Sequence, residues 1–291
     1  MMIQWLDTLI QGILLGGFFA LSGLGLSLSF GIMRIVNIAH GDFLVVAAYL
    51  GLAVISVSGI NPLLALLAVV PAMGLLGYLL QRALLNRVIG SSELTPLLIT
   101  FGLSIILHNL LQELSSADYQ SLDAGPVEIA SLALGPIQVG WLPVGILTVT
   151  LSIFAALHRL MAHTRFGRIV RATVDDPEVT ALMGVDTRRI YALGMALSMA
   201  IVGIAGMLYG IKSSFSPQTG GSQLLFAFEA VIIGGMGSIW GTLAGGMALG
   251  IAQTIGYKMH ASWGAFAGHV VFFAFLFLRP SGLFARGERH A

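Results

Sequence analysis

The chain has 291 residues, of which 57% are hydrophobic and only 9% are charged, whereas soluble domains carry roughly 25% charged residues. Fourteen Lys and Arg against 13 Asp and Glu give a net charge of only +1, so a general basic surface for nucleic acid has no support. The absence of cysteine excludes disulfides and thiolate sites for zinc or haem. With a mean hydropathy of +0.93, the composition is that of an integral membrane protein.

The apolar runs predict an all-α membrane protein. A helix needs about 20 apolar residues to cross the hydrocarbon core, and the alternating pattern of a membrane β-barrel is not found. We expect a bundle of eight or nine transmembrane segments. The start, "MMIQWLD", lacks the basic region of a signal peptide, so the first run is expected to remain as a helix. The apolar segments lie near 8–30, 42–59, 62–82, 95–112, 137–161, 190–211, 224–237, 239–257 and 262–278.

The arginines predict the orientation, because Lys and Arg accumulate in cytoplasmic connections. The connection 112–135 contains four acidic residues and neither Lys nor Arg, so it is expected outside, together with the N-terminus. Three arginine-bearing regions are expected to be cytoplasmic: Arg82 and Arg87, then Arg159, Arg165, Arg168, Arg171, Arg188 and Arg189, and finally Arg279, Arg286 and Arg289.

The stretch "NIAHGDF" places Asn37, His40 and Asp42 between two apolar runs. A charge near the bilayer centre costs about 3 kcal/mol, so such residues usually face a cavity or a partner. One interpretation therefore assigns these residues to a solute pathway. The other is structural: Asn37 as a helix N-cap and Asp42 as a first-turn carboxylate favoured by the helix dipole. Both interpretations remain open at this point.

The longest hydrophilic insertion runs from His158 to Ile190 and contains a short amphipathic helix. Asp176 before Pro177 is typical of an N-cap followed by proline at the first helical position, and Gly184 is a plausible stop. Val179, Leu182 and Met183 fall on one side of this helix. Such a helix can lie on the membrane surface or insert into a groove of a soluble partner. Because it carries Glu178 and no Lys or Arg, docking to a protein is favoured.

The segment "LLFAFEAVIIGGMGSIWG" predicts a helix interrupted at Gly234, Gly235 and Gly237, where missing side chains permit non-helical backbone. A broken helix at membrane depth is tolerated only when it is buried in protein or lines a water-filled cavity. Glu229 lies five residues before the break, so we expect it to face a cavity or to pair two helices. Glycines spaced by four elsewhere, such as Gly12 with Gly16 and Gly246 with Gly250, predict close helix packing.

Enzymatic readings find little support. The only lysines, Lys212 and Lys258, do not follow a glycine-rich turn, so ATP hydrolysis by a P-loop is excluded. His40, His108 and His269 lie on three segments without ligand spacing, and no metal site is predicted. An intramembrane enzyme would need a convergent histidine and carboxylate, for which Glu229 with His269 is the pair to test.

Three stretches together resemble the permease subunits of branched-chain amino-acid ABC importers, the LivH-type family: "GIMRIVNIAHGDFLVVAAYLG", "RATVDDPEVTALMGVDTRRIYAL" and "FEAVIIGGMGSIWGTLAGGMALGIAQ". The resemblance covers essentially the whole chain, in order. It implies the ABC importer permease fold as a single transmembrane domain over residues 1–291, in the bacterial inner membrane. It also implies a heterodimer with a second, LivM-type permease, two cytoplasmic ATPase subunits that bind ATP and Mg, and a periplasmic substrate-binding protein.

The resemblance assigns roles by position. A coupling loop at about 162–189 would contact the ATPase through Asp176, Pro177, Glu178, Ala181, Leu182, Met183 and Gly184. The solute pathway would include Asn37, His40, Asp42, Thr100, Ser104 and Glu229. The chain itself would hold no cofactor and catalyse no reaction.

The implied function is uptake of leucine, isoleucine and valine, driven by ATP hydrolysis on the partner subunits. Related permeases for urea, short amides or aromatic acids are the alternatives within the family. An independent secondary transporter or channel is the alternative outside it, although the shortage of buried charges disfavours an ion relay.

Overall fold

The computed structural model describes residues 2–90, 92, 94–135 and 137–284. Arg286 and Arg289, which contribute to the predicted orientation, lie outside the described residues. The helices are α1 (Met2–Met33), α2 (His40–Ser58), α3 (Pro62–Ala83), a 3₁₀-helix (Leu85–Arg87), α4 (Leu94–Ser115), α5 (Pro126–Ile129), α6 (Trp141–His163), α7 (Arg165–Asp175), α8 (Pro177–Leu182), α9 (Thr187–Lys212), α10 (Thr219–Gly234), α11 (Ile239–Met259) and α12 (Trp263–Leu278). Strands β1 (Ser131–Leu134) and β2 (Ile137–Gly140) form an antiparallel hairpin.

Nine of the described helices coincide with the nine predicted apolar segments. Six of these, namely α1, α2, α3, α4, α6 and α9, are long and apolar enough to cross a membrane. Helices α10 and α11 pass that test only as a pair, which is bent by 117° at the break between them, and α12 is a shorter apolar helix of 16 residues. The prediction of an all-α, multi-pass membrane protein with one broken helix is confirmed.

The described chain divides into two compact units. The second unit comprises Leu28–Ala124 and Ala155–Leu225, and the first comprises the rest of the described chain. Three boundaries between the units fall inside helices, namely α1, α6 and α10. A single transmembrane domain over 1–291 stays a prediction.

Glycines set the packing of the first unit. A Cβ on Gly16 would lie 2.6 Å from the Cα of Met247, and a Cβ on Gly250 would collide with the backbone of Gly12 and Gly16. The two predicted glycine pairs therefore face each other across α1 and α11. Close backbone approach is how helices associate in lipid, where burial of apolar side chains gives little drive.

Helix α9 is the centre of the second unit and packs against α2 and α3. Gly206 of α9 abuts the carbonyl of Leu44, and Gly77 of α3 abuts Met195 and Met199. Just after the end of α9, the ring of Phe215 meets the ring of Tyr49 of α2 edge to face, with centroids 5.0 Å apart. By contrast, the outer sides of α3 and α4 expose many leucines and isoleucines, which suits contact with hydrocarbon or with another membrane subunit.

Candidate translocation and coupling sites

A polar cluster forms where α2 begins. Asn37 is only 2% exposed, and its Oδ1 accepts a 3.1 Å hydrogen bond from the amide of Ala39. Its carbonyl oxygen accepts the amide of His40 at 3.2 Å. Helix α2 starts at His40 with Ala39 as its N-cap residue, so the interpretation of Asn37 as the N-cap is wrong by two positions. The reason is that Ile38 and Ala39 form a turn, which the Asn37 side chain closes before the helix starts.

Asp42 lies in the first turn of α2, is 6% exposed, and is held by α4. Ser104 Oγ donates a hydrogen bond of 2.5 Å to Asp42 Oδ2. One turn earlier on α4, Thr100 Oγ1 accepts the amide of Ile38 at 3.2 Å and donates to the carbonyl oxygen of Pro96 at 2.9 Å. The structure thus brings together Asn37, Asp42, Thr100 and Ser104, which we call the α2–α4 seam. His40 is buried in the same turn of α2 as Asp42.

Two glycines enclose the seam: Gly41, which lies within the "NIAHGDF" stretch, and Gly220, which the sequence analysis missed. A Cβ on Gly41 would collide with the carbonyl oxygen of Gly220, and a Cβ on Gly220 would overlap Asp42 Oδ1. The backbone at the start of α10 therefore lies directly against the Asp42 carboxylate. Such a contact depends on residues about 180 positions apart, and no local pattern around Gly220 predicts it.

Glu229 belongs to the first unit and pairs two of its helices. Its Oε1 lies 2.5 Å from Nδ1 of His269, which connects α10 to α12. Glu229 is 1% exposed, His269 is partly buried, and the ring of Phe226 stacks on the imidazole at an interplanar angle of 9°. The helix-pairing alternative for Glu229 describes this contact. Among the described residues, no three histidine or acidic side chains lie close enough together to hold a metal ion.

The glycine break occurs where the sequence predicts it. Helix α10 ends at Gly234, and Gly235 and Gly237 adopt φ values of +98° and +80°, in the region that favours glycine. Ser238 then caps α11 by accepting the amide of Gly241 at 3.1 Å. The amides of Leu283 and Phe284 donate to the carbonyl oxygens of Ile233 and Gly234 at 2.9 and 3.0 Å. These bonds satisfy carbonyl groups that the interruption would otherwise leave unpaired.

The amphipathic helix of the loop is α8, and its predicted signals are confirmed. Asp176 Oδ1 accepts the amides of Glu178 at 3.0 Å and Val179 at 2.9 Å, and Pro177 is the first helical residue. Gly184 follows the helix with φ of +83°. Thr180 is buried, whereas Val179, Leu182 and Met183 are exposed, with Leu182 at 87%. The helix therefore presents an apolar surface outward.

Helix α7, which precedes α8, was not predicted. Thr164 caps it by accepting the amide of Gly167 at 3.1 Å, and Gly167 packs on the backbone of Met161. Arg171 reaches back to donate to the carbonyl oxygen of Met161. These contacts fix α7 on the end of α6. Because α8 follows α7 directly, its position is fixed through α7. The available signal was Thr164, a good N-cap residue.

The glycine-broken helix, the buried polar seam and the exposed apolar surface of α8 belong to a polytopic helical membrane protein, and this combination is typical of transport permeases. Residues 8–278 match the family described as branched-chain amino acid transport system, permease component. The chain belongs to this family, and it is the transmembrane permease subunit of an ABC importer.

Similar proteins span nearly its whole length. The high-affinity branched-chain amino acid transport system permease proteins BraD of Pseudomonas aeruginosa and LivH of Escherichia coli are 28% and 30% identical to it. Each alignment covers 98% of this chain and 97% of the relative. Among solved structures, PsaBC from Streptococcus pneumoniae in complex with Fab aligns over 100% of this chain and 98% of that chain, with a TM-score of 0.50 and 15% identity. That similarity concerns the fold alone.

Proposed function

We propose that this permease moves branched-chain amino acids across the bacterial inner membrane, together with a second permease subunit. The names of the relatives support this substrate class. Two ATPase subunits would bind ATP and Mg and supply the energy, and a periplasmic binding protein would deliver the solute. This chain would bind no cofactor and catalyse no reaction.

The apolar surface of α8 is the observation that carries the proposal. Three aliphatic side chains are held toward solvent by a capped helix, and fully burying one such side chain stabilises a contact by about 1.5–3 kcal/mol. A groove on an ATPase subunit is the occupant that we propose. Since α8 is braced through α7, movement of its partner would be transmitted to the membrane helices. Switching access from 1:99 to 99:1 requires about 5.5 kcal/mol of differential binding.

The α2–α4 seam is the proposed part of the solute pathway within the second unit. The Asp42 carboxylate suits the ammonium group of an amino acid, and Asn37 Nδ2 has no hydrogen-bond partner among the described residues. Asn37 just before α2 and Asp42 in its first turn would supply a donor and an acceptor for the two ends of a zwitterion. The contacts can be weak, because affinity would reside in the binding protein.

The test is to purify the assembled transporter with Leu182→Asp and with the control Ile129→Asp. Leu182 and Ile129 are each 87% exposed, but Ile129 lies in α5, in the connection predicted to be outside. We expect Leu182→Asp to release the ATPase subunits and to reduce substrate-stimulated ATP hydrolysis by more than about tenfold, a burial loss of about 1.5 kcal/mol or more. Ile129→Asp should retain the subunits. Full retention by Leu182→Asp, or uphill uptake by the isolated chain in sealed vesicles, would contradict the proposal.

A further inference from the structure

A cavity of about 720 Å³ lies in the second unit, where α3 ends and α9 begins. Four arginines line it together with one amide and one carboxylate: Arg82, Arg87, Arg188, Arg189, Asn86 and Asp186. Asp186, Arg188 and Arg189 lie at the end of the predicted coupling loop, but none of the lining residues is among those assigned to contact through α8 or to the α2–α4 seam. The cavity therefore needs its own explanation.

Hydrogen bonds across the cavity fix its walls. Buried Gln81 donates to Asn86 Oδ1 at 3.0 Å, and Asn86 Nδ2 donates to the carbonyl oxygen of Arg188 at 3.2 Å. These two bonds tie the end of α3 to the start of α9. Asp186 Oδ1 accepts the amide of Arg189 at 3.1 Å and caps α9. The arginine side chains are thus anchored on a defined backbone frame.

The charge in this frame is not balanced within the described part of the chain. Arg82 donates to the hydroxyl of Tyr78 at 2.9 Å, which is a neutral partner. Within the described part of the chain, the ion pair that forms joins His269 and Glu229. None of the four arginines takes part in an ion pair there. Guanidinium groups stay protonated and present paired donors that match phosphate oxygens. The cavity is therefore built for an anion with several oxygens.

The exposed face of α3 next to the cavity indicates which kind of anion would bind there. Leu75, Leu79 and Arg82 are spaced by four and three residues, so they share one face of α3, and both leucines are exposed. An apolar stripe that ends in a cationic cavity matches acyl chains that end in a phosphate. Arginine clusters mark the cytoplasmic ends of membrane helices, and basic pockets between such ends bind anionic lipid headgroups.

We propose that this cavity binds the phosphate headgroup of an anionic phospholipid of the cytoplasmic leaflet, with the acyl chains along Leu79 and Leu75. A free phosphate compound shares the headgroup chemistry but would not use the leucines. An acidic surface of an ATPase subunit is a different occupant, and the same variants distinguish it.

The experiment measures phosphatidylglycerol binding to the delipidated, assembled transporter by native mass spectrometry, with phosphatidylcholine and glycerol phosphate as comparison probes. Arg87→Gln combined with Arg188→Gln removes two cavity charges. Arg159→Gln is the matched control, because Arg159 is an exposed arginine at the end of α6 that does not line the cavity. Each basic residue at an anionic lipid surface is worth a factor of about five, so the double variant should bind phosphatidylglycerol about 25-fold more weakly. The control should match the unmodified protein.

Leu79→Asn separates the lipid from a free anion: it should weaken phosphatidylglycerol binding and leave glycerol phosphate binding unchanged. Phosphatidylglycerol binding by the double glutamine variant that equals that of the control would overturn the proposal. Release of the ATPase subunits with lipid binding intact would also overturn it and assign the surface to a protein contact. Should the double glutamine variant not assemble, Arg87→Gln alone removes one cavity charge and should weaken phosphatidylglycerol binding about fivefold. Binding by this single variant that equals the control would equally overturn the proposal.

Discussion

Ser104 Oγ donates a 2.5 Å hydrogen bond to Oδ2 of Asp42, and this bond connects α4 to the first turn of α2. Few side chains of α4 are buried, so the contact with α2 is a large part of what positions its inner face. The carboxylate also touches the backbone of Gly220. A single acidic side chain therefore joins three helices of the second unit.

Ser104→Ala and Asp42→Asn separate the hydrogen bond from the charge. The alanine removes the donor and leaves a buried carboxylate less well paired, whereas the asparagine keeps an acceptor and removes the charge. If Asp42 holds an ammonium group, Asp42→Asn should reduce amino-acid uptake at least about tenfold, since a lost charge-assisted bond costs about 1.5–3 kcal/mol. Ser104→Ala should have a smaller effect.

Uptake of labelled leucine by the assembled transporter in vesicles measures both effects. Ser152→Ala is the control, because Ser152 is exposed and donates only to the carbonyl oxygen of Thr148 within its own helix. Full uptake by Asp42→Asn would remove Asp42 from the solute pathway and leave it a helix-pairing role.

Gly220→Ala should displace the Asp42 carboxylate, because the added methyl group would overlap Oδ1. The next residue, Gly221, has no atom within 4 Å of an added Cβ, so Gly221→Ala is a matched control one position away. We expect Gly220→Ala to reduce leucine uptake and to lower the thermal unfolding temperature. Gly221→Ala should be neutral or stabilising by up to about 1 kcal/mol, since alanine is the better helix former. Equal unfolding temperatures for the two variants would contradict the close contact.

The contrast between α8 and Gly220 shows what a sequence can predict here. The cap at Asp176, the proline after it and the stop at Gly184 are local signals, and each is found in the structure. Apolar runs likewise locate the helices, because a helix that crosses lipid must be apolar whichever helices it packs against. Contacts between distant segments leave no such signal: neither Gly220 against Asp42 nor residues 283–284 against the broken helix follows from spacing. Nearly uniform hydrophobicity also hides which face of each helix is inside.

Glu229 and His269 should couple energetically. Removing one partner of this partly buried pair leaves the other without its hydrogen bond, which typically costs about 1–3 kcal/mol. Removing both should cost less than the sum of the two single changes. A cycle of Glu229→Ala, His269→Ala and the double variant, measured by unfolding of the purified protein in detergent, determines the coupling. His163→Ala, which alters an exposed histidine at the end of α6, is the control. Additive effects of the two changes would show that the 2.5 Å contact does not stabilise the fold.

Asp176 should act on transport through the position of α8. Its side chain accepts two backbone amides, and replacing an N-cap aspartate by alanine costs about 0.5–2 kcal/mol of helix stability. A six-residue helix has few other bonds, so Asp176→Ala should loosen α8 and reduce the coupling of ATP hydrolysis to substrate. Asp176→Asn keeps the acceptor oxygen and should restore coupling, which a direct electrostatic contact with the ATPase would not allow.

The control is Asp175→Ala, which removes the same charge from the neighbouring position, where no cap is lost, and should leave coupling unchanged. The ratio of ATP hydrolysis with and without loaded binding protein is the measurement, and failure of asparagine to rescue it would show that Asp176 acts by its charge.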